Sequence, residues 1–260
     1  MAKHRHFVRL MVAVALICAA GSAAFGAVST EYLGDAVSYL GNDFKGSWVG
    51  NVGIDGYQLL NWNGNNNSSL YPSYLGTAQA GPGIAQHMWT GAAASSEARV
   101  VQGAPPNEGQ RSSATWYTGS NPAYIRIPVL QDANFILGVY MFDFEGGRSG
   151  EIGVTDLSTE TSPAVMINQG VYQQGKWNFF AVTATAGDTI SIKLNALVSN
   201  CTASMLSFDP PAGTRVSSVW ITLDCRTRCA MSSTRGAAIR AAASSQAHIV
   251  LRAMSTPLRA

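Results

Sequence analysis

Between positions 46 and 210 apolar residues either alternate with polar ones or run unbroken for four to nine positions, and Gly, Pro, Asn and Asp fill the gaps. Period-two alternation bounded by such residues predicts strands, whereas helices need a period near 3.6. Tyr124–Leu130 is the clearest case, with Ile125, Ile127 and Val129 on one face and Tyr124, Arg126 and Pro128 on the other. Phe135–Phe144 is apolar almost throughout, as expected of a strand covered on both faces. Gly56–Trp62, Ser113–Tyr117, Glu151–Thr155, Ala164–Asn168, Trp177–Thr183, Thr189–Leu194 and Ala203–Phe208 complete the set. Turns are expected at Gln131–Asn134, Glu145–Gly147 and Ala186–Asp188, where Gly, Asn and Asp suit tight reversals. The spacing of about 8–14 residues predicts an all-β fold, an antiparallel β-sandwich of jelly-roll or galactose-binding-like character.

The flanks differ from this centre. Residues 27–45 could form a short leading helix or an arm. Gly64–Tyr71 and Thr90–Gln110 look like long loops, the second without assignable pattern. Met1–Arg9 is basic, Leu10–Ala20 is apolar, and Ala24 and Gly26 occupy small-residue positions, which together predict a secretory signal over residues 1–26. The apolar run is too short to span a bilayer core of about 30 Å, so no membrane anchor is expected once the signal is removed. Residues 214–260 are rich in Arg, Ala and Ser and are expected to be disordered or weakly helical. Loss of the strand pattern beside this shift raises the reading that the tail is frameshifted.

Charge narrows the partners. Residues 27–213 carry 7 basic and 14 acidic side chains, and the formal +2 of the chain arises from its two ends. A basic stripe for phosphates is therefore absent from the central sequence, and nucleic acid is not an expected partner. An exported chain permits disulfides, yet Cys201, Cys225 and Cys229 are an odd number after signal removal.

Candidate chemistry is sparse. Asp143, Glu145 and Arg148 fall at a strand end and turn. They could orient a ligand, or the two carboxylates, two residues apart on a strand, could share one calcium ion. The plainer reading is a local ion pair that fixes the loop. No other cofactor and no catalytic residue is implied. Trp faces suit stacking on sugar rings, although aromatics also dominate cores. Trp116 and Trp177, inside strand patterns, are expected to be buried. Trp62, between Asn61 and Asn63 and next to a polar loop, is the best exposed candidate, and Trp89 ranks next. His87 is the only histidine between 27 and 213 and has no nucleophile elbow beside it.

Several of these segments form an ordered series: Gly46-x-Trp48-x-Gly50-x-x-Gly53-x-x-Gly56-Tyr57, Pro72-Ser73-Tyr74, Trp116-Tyr117 and Tyr140-x-x-Asp143-x-Glu145-x-x-Arg148. The series resembles an uncharacterised secreted bacterial β-sandwich domain family whose function is not established. Phe144 and Glu145 stand where that pattern has Trp and Asp, and Tyr71 where it has Leu. The resemblance implies a sandwich over about 46–210 and an extracytoplasmic location, at the cell surface, in the periplasm or secreted. Compartment, fold and Trp/Asn-rich loops favour a non-catalytic module that binds carbohydrate or a cell-surface glycan. A structural or adhesive surface protein, and a hydrolase using Asp143, Glu145 or His87, are the alternatives.

Overall fold

The structure, a computed structural model, describes residues 28–211. The expected signal, the basic tail, Cys225 and Cys229 lie outside the described residues. Fifteen strands are assigned here: β1 Ser29–Gly34, β2 Gly56–Leu59, β3 Ser69–Leu70, β4 Gln79–Ala80, β5 Ile84–Ala94, β6 Val101–Gln102, β7 Gln110–Thr118, β8 Ala123–Pro128, β9 Ala133–Met141, β10 Ser149–Asp156, β11 Ile167–Val171, β12 Lys176–Ala184, β13 Thr189–Val198, β14 Thr202–Ala203 and β15 Met205–Asp209. Among the described residues a single short α-helix, α1, covers Ala36–Leu40.

All pairings are antiparallel. A six-stranded sheet runs β1-β12-β9-β15-β2-β3, and a five-stranded sheet runs β11-β10-β13-β8-β4. Their facing sides make the main core. Phe135, Leu137, Val139 and Met141 of β9, with Val182 and Phe208, meet Ile125, Ile127, Ile152, Ile190, Ile192 and Leu194 across the gap. These are the inward positions of alternating strands, so burial follows directly from the period of two. The chain is therefore an antiparallel β-sandwich.

The other face of the six-stranded sheet is covered too. Ile136, Tyr140, Trp177, Phe179 and Met205 pack under Ala36 of α1, Phe44, Trp48, Val52 and the Val100–Ala104 segment. Two indoles pin this covering down: Trp48 Nε1 donates to Gln102 O at 2.7 Å and Trp177 Nε1 to Lys45 O at 2.6 Å. Burial on both sides explains why β9 is apolar at nearly every position rather than at every second one.

A third sheet, β14-β7-β5, with β6 also on β7, adjoins the sandwich. It takes up part of the loop expected over Thr90–Gln110, since β5 extends through Ala94 and β6 lies within that stretch. The β5 sequence, IAQHMWTGAAA, escapes notice because the edge strand is mostly exposed and carries small residues instead of an alternating apolar face. The leading segment is a strand followed by a helix, not one helix. Asp35 caps α1 by accepting from Ser38 N at 2.8 Å, and Gly41 closes it at φ 72°. Among the described residues no helix is long and apolar enough to cross a membrane.

Candidate functional site

One face of the third sheet forms the floor of a cleft of about 250 Å³. His87 and Trp89 come from β5, Thr115 and Tyr117 from β7, and Thr202 from β14. Register brings them together: His87 pairs with Thr115, and Tyr117 with Thr202. Trp89 is the extra residue of a β-bulge between Met88 and Thr90, a device that re-aims a side chain. Glu145 and Arg148, from the loop after β9, and Asn200, before β14, form the wall.

Arg148 organises the wall. Its guanidinium pairs with Asp143, donates from Nη2 to Glu145 Oε2 at 2.7 Å and from Nε to Asn200 Oδ1 at 2.6 Å, and its backbone N–H also reaches Asp143 Oδ2 at 3.0 Å. Gly146 and Gly147, at φ 89° and 88°, let the chain reverse tightly enough for Arg148 to return to both carboxylates. The two carboxylates differ sharply in exposure, with 0% for the Asp143 side chain and 58% for Glu145. Burial alone would pull the guanidinium down, but the two carboxylates outweigh it and hold Arg148 above its ordinary value.

The Arg148 Cζ lies 5.3 Å from the centroid of the Trp89 ring, which in turn stacks on Phe144 at 6.1 Å and meets His87 edge-on at 5.0 Å. Arg99 supports Phe144 from the other side, 5.5 Å from its centroid, and pairs with Glu97. The Glu145 carboxyl sits below its usual range, first because of Arg148 and second because of the neighbouring Trp89 indole N–H. That N–H is itself out of contact with solvent. Tyr117 is half-buried with its ring on the cleft.

The sequence-derived candidates divide into two groups. Trp89, Asp143, Glu145 and Arg148 do come together. The two carboxylates are not strand neighbours sharing a cation, however, because β9 ends at Met141 and both converge on the guanidinium instead. Among the described residues no group of three or more His, Cys, Asp or Glu is placed to hold a metal ion. Asn61, Trp62 and Asn63 lie elsewhere, in a 3-10 turn packed on β5 and β7. The expected exposure of Trp62 is incorrect: it is 9% exposed, drawn into the second core by the turn, with Gly103 leaving room for its ring. Asn61 is buried and donates to His87 O at 2.9 Å, while Asn63 Oδ1 accepts from Ala92 N at 3.1 Å. These asparagines hold β5 in place rather than face solvent together. The sequence reading did not place Thr115, Tyr117, Asn200 and Thr202 at a site. Once Trp116 is expected inside, the period of two already sends Thr115 and Tyr117 to the opposite face.

A larger cavity of about 330 Å³ lies near α1, lined in part by Asp35, Asp43, Gln173, Gln174 and Lys176. Its aromatic rings, Tyr172 and Trp177, are 2% and 1% exposed, so they offer no face to a ligand. No family model, no curated protein and no solved structure matches the chain.

Proposed function

We propose that the chain is a non-catalytic module that binds a saccharide in the cleft over β5, β7 and β14, and that it works outside the cytoplasm. The observation that carries the reading is the half-buried Tyr117 ring facing a cleft that Glu145 and Asn200 line with polar groups. Saccharides suit both, with hydroxyl groups for Glu145 and Asn200 and an apolar C–H face for Tyr117. The cavity lies just below the ~300–1,000 Å³ common for ligand sites, a size suited to one or two sugar rings. The secretory pattern at the N-terminus and the resemblance to an exported sandwich family support the location.

Hydrolysis fits these groups less well. A glycosidase pair needs one carboxylic acid with a raised pKa and a second free carboxylate. Here Glu145 is shifted downward and Asp143 is fully buried against Arg148. The Thr115 hydroxyl donates to Ala203 O at 2.8 Å and the Thr202 hydroxyl to Phe142 O at 2.7 Å, so neither is aligned on His87 as a nucleophile. A glycan array followed by titration calorimetry of the full chain tests the proposal. Binding should weaken about tenfold in Tyr117→Ala, which removes the aromatic face. A folded protein that binds no saccharide, or that binds equally well without the Tyr117 ring, would refute it.

A further inference from the structure

Resting on the saccharide reading of this cleft, we infer that its ligand carries a protonated amine, as in a deacetylated hexosamine, and that acidic saccharides are excluded. The cleft holds one cation and cannot lend it. Each of the three guanidinium nitrogens of Arg148 donates to a protein acceptor, in Asn200, Asp143 and Glu145, and the group is 13% exposed with Cζ over the Trp89 ring. Each terminal nitrogen keeps a second N–H, but the guanidinium charge is already balanced by Asp143 and Glu145, so a carboxylate or sulfate would meet no uncompensated cation. The neighbouring Arg99 is paired with Glu97 and lies over Phe142 and Phe144, behind the wall.

Two carboxylates against one guanidinium leave the site one negative charge, and the exposed member of the pair is Glu145. Its Oε2 accepts from Arg148 and the Trp89 indole N–H lies beside the carboxylate, yet the side chain is 58% exposed and so open to a ligand cation. The downward shift of its carboxyl keeps it ionised in neutral and mildly acidic solution. A primary ammonium is a compact cation with three donors, suited to an exposed carboxylate and a phenol oxygen on the same cleft. Tyr117 supplies the phenol, with no hydrogen-bond partner of its own. An acidic sugar meets a negative rim without a counter-charge, a juxtaposition that selects against it.

The test is calorimetric titration of the full chain with a glucosamine tetramer, its N-acetylated counterpart and a galacturonate tetramer. The amine should bind about fivefold tighter than the acetylated form, the scale of a partly exposed ion pair, and the uronate should bind weakest. Added salt should shrink the amine preference. Glu145→Gln should abolish that preference, so that the amine and acetylated tetramers bind alike. Glu31→Gln, which removes an exposed carboxylate from β1, controls for the acidic surface as a whole. Uronate binding as tight as the amine, an unchanged preference in Glu145→Gln, or an equal loss in Glu31→Gln would overturn the inference and leave the saccharide reading standing. Silence towards all three tetramers in a folded protein that also fails the array would overturn both.

Discussion

Two carboxylates on one guanidinium allow the burial term to be separated from the charge. Asp143 and Glu145 both pair with Arg148, yet one side chain is 0% and the other 58% exposed. Removing one partner of a buried pair typically costs about 3–5 kcal/mol, because the remaining charge is left desolvated without compensation. In Asp143→Ala the guanidinium keeps Glu145 and Asn200, so the lower end applies, about 3 kcal/mol. The backbone N–H of Arg148 also loses its acceptor, which fixes the start of β10. Asp143→Asn retains an acceptor for that N–H and should lose about half as much. Glu145→Ala removes a pair already in contact with water and should leave stability unchanged within error. Urea denaturation of the three variants, with thermal melts in parallel, measures the series. At about 2–4 °C per kcal/mol for a domain of this size, Asp143→Ala should melt roughly 6–12 °C lower. Equal losses in Asp143→Ala and Glu145→Ala would show that the pair contributes through its charge alone and that the burial argument is wrong.

Gly175→Ala should destabilise by more than about 3 kcal/mol, because the glycine sits at φ 81° and a methyl group there would collide with the buried Tyr140 hydroxyl; denaturant unfolding decides, and a near-neutral result would refute the packing around Tyr140. The Cys201 thiol is fully buried and its pKa is pushed up to about 12 by that burial, so peptide mapping after iodoacetamide at pH 8 should find it unmodified in the native chain and alkylated in urea. Burial also raises Tyr71 to about 12 from an ordinary 10.0, and it raises Tyr140 and Tyr172. The fold therefore favours the protonated phenols: their stabilising contribution is complete below pH 10 and disappears as pH rises through about 12, so the melting temperature should fall steadily across that window. A flat profile there would contradict the buried tyrosines.

The particular residues show why the sandwich was legible and the cleft only half so. Ile125, Ile127 and Val129 announce an inward face because burial in a sheet acts on every second residue, and a run such as Phe135–Met141 announces two covered faces. Such signals depend on side-chain period alone, which sequence records. β5 lacks them because an edge strand with an exposed face has no apolar period to show, and its place is set by pairing with β7 and by the asparagine turn. Trp62 misled for a related reason: polar neighbours mark exposure only if the local backbone leaves the ring outside, and a turn with Asn61 and Asn63 at φ 55° and 53° tucks it in. The Asp143–Glu145–Arg148 trio was visible as a cluster because its members are close in sequence. Its meaning depended on contacts that sequence distance hides, with Asn200 and the ring of Trp89 brought to Arg148 from 52 and 59 residues away. Those long-range partners decide the chemistry. By occupying the guanidinium they turn a residue that would otherwise attract anions into a strut, and they leave Glu145 as the exposed charge of the cleft.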